Sequence, residues 1–224
     1  MTVIPLLRYH SALLLRSHRW LPPILLYAAF LAVGVQPGGP VLDSYGFAAI
    51  GPLPLAAWLC RLCVTGEPPA ARACAAAAAG PGRAHLARVL TGALSATVLA
   101  LAGTVYVALG SDPHASDHHT AVPVAPAFCA GLLAALVSVL LGTAVGALCN
   151  WPVLRSTGWS VLSGLSAALL LLVGSASPAN AAVSGLVTGS AHGTVALPWL
   201  PLLGTVVIAA AATAVACRLS SRRS

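Results

Sequence analysis

Apolar residues in this chain come in long runs, not in the period-two alternation of a half-buried strand or the narrow stripe of a soluble helix. Six runs approach the roughly 20 residues that a helix needs to cross a bilayer. They are Leu21–Val35, Tyr45–Val64, Leu86–Gly110, Ala125–Cys149, Gly158–Ala176 and Pro198–Cys217. The first is brief, follows Pro22-Pro23, and gains length only by extending to Gly38. The second contains Gly51-Pro52-Leu53-Pro54, which predicts a kink or break at mid-depth. Ser177–Leu197 is mildly apolar but interrupted by Pro178, Gly185, Gly189 and Gly193, too irregular to span alone; short re-entrant or interfacial helices are expected there over 177–197. The pattern predicts an all-α, polytopic membrane protein with about six transmembrane helices in a domain covering residues 20–217.

Two polar segments stand apart from the runs. Within residues 1–19, Arg8, Arg16 and Arg19 fall in one arc at 100° per residue, and Leu6, Leu7, Leu13 and Leu14 fall broadly opposite. That spacing suits an amphipathic elbow helix lying in the membrane interface; a basic frayed tail is the alternative. Within residues 65–84, Pro68-Pro69 pre-organises a first helical turn, Ala75–Ala79 has the best helix propensity, and Gly80-Pro81-Gly82 stops the helix. A short capped helix between two spans, with little apolar surface of its own, is built to touch something. A plain connector is the competing reading.

Composition sharpens the class. Of 224 residues 58% are hydrophobic and 7% charged, whereas soluble domains carry about 25% charged residues. A bilayer removes the need for a charged surface, because helices satisfy their own backbone groups. The net charge of +7 comes from eleven Arg, no Lys and four acidic residues. Arg8, Arg16 and Arg19 precede the first run. Arg61, Arg72, Arg83 and Arg88 bracket the loop after the second, and Arg155 follows the fourth. Arg218, Arg222 and Arg223 follow the last, in a basic tail over 218–224. All lie on one face, which the positive-inside rule makes cytoplasmic, with both termini inside a cell membrane; Asp43, Asp112 and Asp117 fall on the other. A basic balance can also mean nucleic acid, but Arg placed at the ends of apolar runs reads as topology, so the bilayer is the expected partner and nucleic acid is not. Arg without Lys, with heavy Ala and Gly use, suggests a GC-rich bacterial genome. Trp20, Trp151 and Trp199 at run ends fit an interfacial belt. The first run begins after Trp20, which fits an uncleaved first span better than a signal peptide.

Cysteine usage gives no secreted framework. Cys60, Cys63, Cys129, Cys149 and Cys217 sit in or beside apolar runs and read as small hydrophobes. Cys60-x-x-Cys63 with Cys74 offers a metal alternative that lacks a fourth ligand. Asp112-Pro113-His114-Ala115-Ser116-Asp117-His118-His119 has metal-ligand residue types but reads as a solvated turn. Gly142-x-x-x-Gly146 permits close helix approach, within the bundle or across a dimer.

Several chemistries are excluded. Without Lys there is no G-x-x-x-x-G-K-[ST] phosphate loop. No Asp or Glu lies inside a run, so an ion-coupled carrier lacks its intramembrane carboxylates. Gly164-Leu165-Ser166-Ala167 is reminiscent of an intramembrane serine-protease motif, but the last run holds no His, and His192 lies in the loop before it. No catalytic residue, metal or cofactor is expected, and a carrier of this kind must be passive or driven by a partner.

The chain resembles actinobacterial permease subunits of the type 2 ABC exporter family. The resemblance rests on His18-Arg19-Trp20-Leu21-Pro22-Pro23, on Gly66-Glu67-Pro68-Pro69 with Ala75–Gly80, and on Gly146–Arg155, and is a likeness of pattern over nearly the whole chain. It implies six helices after an elbow helix, a coupling helix between spans two and three that docks on a separate ATP-binding subunit, and a re-entrant hairpin before span six. It also implies a homodimer or heterodimer of permease subunits. Glu67, Arg72 and Arg83 are the expected polar contacts with the ATPase. A non-transporting membrane anchor or assembly protein that recruits a cytoplasmic partner is the alternative.

Overall fold

The computed structural model describes residues 3–117, 119–150 and 156–222. Among them lie ten α-helices: α1 (Val3–Arg16), α2 (Leu21–Gly34), α3 (Val41–Ala48), α4 (Pro52–Thr65), α5 (Pro69–Ala79), α6 (Pro81–Gly110), α7 (Val124–Leu148), α8 (Thr157–Val173), α9 (Pro178–His192) and α10 (Trp199–Arg222). Helices dominate because the chain offers long apolar stretches rich in Ala and Leu, the residues that cost least to hold helical.

Four helices are long and apolar enough to cross a membrane: Val41–Thr65, Pro81–Gly110, Val124–Leu148 and Trp199–Arg222. Gly158–Val173 and Pro178–His192, bent by 41° at their break, pass together as a fifth. Leu21–Gly34 is apolar but has 14 residues, a rise of about 21 Å against a hydrocarbon core of about 30 Å. Six runs were expected to span; four or five helices do so by length and composition. Val33, Leu109 and Leu200 are more than four-fifths exposed, an outward apolar surface consistent with a multi-pass membrane protein.

The break expected at Gly51-Pro52-Leu53-Pro54 is present. α3 ends at Ala48 and α4 begins at Pro52, where proline supplies a first helical residue but cannot continue the helix before it. α7 is the hub, packing against α4, α6, α9 and α10. Its Gly142-x-x-x-Gly146 face meets α4 in the same chain. A Cβ on Gly142 would stand 2.9 Å from Ala56 Cβ, and one on Gly146 would stand 2.6 Å from Cys60 Cβ. The motif therefore serves packing within the bundle, where missing side chains let two backbones approach. α9 is one continuous helix despite its glycines. Ser177 Oγ accepts from Ala179 N (3.2 Å) at its start, and Gly193 takes a left-handed φ of 64° at its end.

The bundle has two chemically distinct ends. At one, Gly38 N donates to Gly110 O (2.9 Å), Asp112 N donates to Gly39 O (3.0 Å) and Ser116 Oγ donates to Asp43 Oδ2 (2.7 Å). Asp117 there accepts from Thr120 N (2.9 Å), Thr120 Oγ1 (2.7 Å) and His119 N (3.0 Å). Those bonds favour its charged form and hold the carboxyl down to about 2. The opposite end collects α1, the turn from α4 through α5 into α6, and the end of α10, where Gly82 faces Ser221. The arginines of these segments gather there, so the charge partition read along the chain is also a partition in space. Arg155, Arg223, Trp151 and His118 lie outside the described residues.

Candidate functional site

The candidate site is the arginine-rich end, built around the one Glu of the chain. α4 ends at Thr65, and the chain crosses Gly66-Glu67-Pro68 before α5 begins at Pro69. α5 stops at Gly80, whose φ of 87° is left-handed and closed to most L side chains, and Pro81 opens α6 at once. The expected stop is therefore real, but the third apolar helix restarts without a linker, five residues before the run that marked it. An α4–α5–α6 unit with short connections results, with α5 packed on α6.

Glu67 is turned into the bundle. Its Oε2 lies 2.7 Å from Arg88 Nη2 and accepts from Arg88 Nε at 3.0 Å, with the two side chains 2% and 0% exposed for Arg88 and Glu67. Its backbone carbonyl accepts from Arg72 Nη2 (3.1 Å). A buried carboxylate needs a cation beside it, and Arg88, about two turns into α6, is that cation. Glu67 was expected to face a partner; its carboxylate instead faces Arg88, and what it can do is hold α5's N-terminus on α6. Arg72 is half-buried at the start of α5, and Arg83 is exposed on the first turn of α6. The outward surface between them consists of Ala73, Cys74, Ala77 and Ala78, a smooth small-residue face.

α1 closes over this hinge. It packs on α6 and α4 and buries His10 and Leu14, with Leu6, Leu7 and Leu13 half-buried and Arg8 and Arg16 exposed. The leucine face expected to lie in the membrane interface is thus turned towards α6 and α4 of the same chain. Burial lowers the His10 imidazole below its ordinary 6.5, helped by Arg88 and opposed by Glu67. Burial, then Glu67, raises the Tyr9 phenol. His18, with a φ of 54°, turns the chain into α2, and Trp20 Nε1 donates to Leu15 O (3.1 Å) across that turn.

A second polar cluster lies on the other side of α4. Arg61 Nη1 donates to Ser160 Oγ (2.6 Å) and Asn150 Oδ1 (3.1 Å), Ser160 Oγ donates to the same Oδ1 (2.7 Å), and Asn150 Nδ2 donates to Gly146 O (2.7 Å). The cluster sits at one end of a cavity of about 340 Å³ between α4, α7 and α8. Pattern reading had Arg61 only as a topology marker; its partners lie 89 and 99 residues away, beyond any local signal.

Compared with known proteins, the chain matches no family model, no curated protein and no solved structure. The functional reading therefore rests on this geometry. All six cysteines are free, with Cys60 and Cys63 buried and Cys74 exposed. Among the described residues no three His, Cys, Asp or Glu side chains gather as a metal site.

Proposed function

We propose that this chain is the membrane-spanning permease subunit of an ATP-driven exporter, coupled through α5 to a separate ATP-binding subunit. The observation that carries the reading is α5 itself. It is a short helix set between two long apolar ones, fixed at its start by Glu67, Arg72 and Arg88 and at its end by Gly80, and it shows an outward face of small side chains. Such a helix moves only with α4 and α6, so a push on it becomes a movement of two spans. The lack of any lysine and of carboxylates within the apolar runs supports the same reading, because a carrier so built is either passive or takes its free energy from another polypeptide. Arg72 and Arg83 flank the face and supply its polar contacts, while Glu67 keeps the hinge rigid.

In this reading α2 and the bent α8–α9 pair complete six membrane segments. α1 is the interfacial elbow, α8 crosses as the fifth span, α9 is the re-entrant segment on the outer side before α10, both termini are cytoplasmic, and two permease subunits pair in the cell membrane. The test uses Cys74 in a variant lacking the other cysteines, carrying a photoreactive maleimide. Labelling is expected in inside-out vesicles and not in intact cells, and illumination is expected to capture a polypeptide that binds ATP. Labelling from outside refutes the orientation. Capture of a cytoplasmic protein that binds no nucleotide favours a recruiting anchor instead.

A further inference from the structure

The cavity beside Arg61 is not used by the coupling reading and does not depend on it. Its walls are Pro54, Ala57 and Trp58 of α4, Val145 and Cys149 on the α7 side, and Val161, Leu165 and Ala168 of α8. Pro54, Trp58, Val161 and Leu165 are also exposed on the outer surface of the bundle, so the cleft opens sideways, where acyl chains would lie. Its polar end is Arg61 with Asn150 and Ser160. From Arg61 to Pro54 is seven residues of helix, about 10 Å of apolar wall. The shape is that of a site for a head and the first part of a tail, and its volume falls at the lower end of the range of small-molecule pockets, about 300–1,000 Å³.

The charge decides which head. Arg61 lies one turn inside the end of Val41–Thr65, where an unneutralised cation is costly. Among the described residues, Arg61 Nη1 donates to two neutral oxygens. The buried carboxylate Glu67 pairs with Arg88, on the far side of α4. Asn150 and Ser160 orient the guanidinium without neutralising it, and Arg61 itself lines the cleft. A guanidinium offers paired donors that match the oxygens of a phosphate.

We propose that this cleft binds a phospholipid with an anionic phosphate headgroup, its phosphate on Arg61 and one acyl chain between Trp58 and Leu165. Trp58 is the reporter. A variant that keeps Trp58 and has Phe at the other four tryptophans is reconstituted in phosphatidylcholine vesicles, with small equal amounts of brominated phosphatidylglycerol or brominated phosphatidylcholine. Quenching of Trp58 is expected to favour the anionic lipid roughly fivefold, the scale of a single basic side chain meeting an anionic headgroup. Arg61→Gln should abolish that preference, and Arg83→Gln, outside the cleft, should keep it. Equal quenching by the two lipids overturns the proposal without recourse to any Arg61 variant, so a misfolded Arg61→Gln does not protect it. A preference that survives in folded Arg61→Gln, or that Arg83→Gln also removes, overturns it as well. Added inorganic phosphate should leave the quenching unchanged. If it displaces the brominated lipid as well as unbrominated phosphatidylglycerol does, the site takes free phosphate and the lipid assignment falls.

Discussion

Consider removing one half of the buried ion pair. Glu67→Gln keeps the shape and one acceptor oxygen but deletes the charge that Arg88 faces at 2.7 and 3.0 Å. Arg88 is 2% exposed, so water does not take the place of the lost carboxylate. Breaking a buried pair from one side costs about 3–5 kcal/mol, because the surviving charge stays desolvated and unpaired, which lowers the folded-to-unfolded ratio by two or more powers of ten. Arg88→Met should cost a similar amount by stranding Glu67. The double variant Glu67→Leu, Arg88→Met removes both charges and replaces them with apolar volume, a change that is often neutral or stabilising. It should therefore lie well above either single variant. The assay is equilibrium unfolding in mixed micelles, followed by circular dichroism, for the native chain, these three variants and the single variant Glu67→Leu that closes the cycle. Single losses below about 1 kcal/mol, the level of an exposed pair, would refute the burial argument. So would losses that simply add in the double variant.

Two further outcomes follow from the packing. Gly142→Val puts a side chain against the Leu53 backbone, with Ala56 Cβ 2.9 Å from the new Cβ. Overpacking of this kind costs about 1–3 kcal/mol, whereas Gly204→Val, which meets nothing within 4 Å, should leave the thermal midpoint in detergent unchanged; equal effects would refute the α4–α7 contact. His10 has a depressed folded pKa, so the unfolded chain binds a proton first. The stability this group contributes is complete above about 6.5 and is lost as pH falls through that value towards the lower folded one. Hydrogen exchange, corrected for intrinsic rates, should show α1 loosening between about pH 7.5 and 5, and unchanged protection across that range would contradict its buried, neutral state.

Much of the fold is legible in the sequence because apolar length is a direct signal of membrane helices. The break at Pro52 and the cap at Gly80 are equally direct, since each follows from one residue's backbone restriction. The exact extent of α9 is less legible: Gly185 and Gly189 lower helix propensity, yet packing on α3 and α7 and caps at Ser177 and Gly193 outweigh that local cost. The candidate site was only half visible. That α5 would be a short capped helix could be read locally. Glu67 turning towards Arg88 depends on α6 restarting at Pro81 and bringing a cation beside the carboxylate, and nothing in the spacing of 21 residues announces it. The Arg61 cluster is still more remote, since Asn150 and Ser160 reach it only after α7 has packed along α4.

The central claim, that free energy reaches this bundle through α5, is tested most directly by purifying the chain from its native membranes in mild detergent. ATP hydrolysis by whatever accompanies it is then measured with and without Ala76→Pro. Proline in the middle of α5 costs the helix about 3 kcal/mol and leaves the apolar helices untouched. The account predicts an ATP-binding polypeptide in stoichiometric amount with the native chain. It further predicts that the Ala76→Pro protein reaches the membrane normally but loses that partner or its stimulated hydrolysis. A chain that purifies with no ATP-binding protein, or one whose partner and hydrolysis are indifferent to Ala76→Pro, would contradict it.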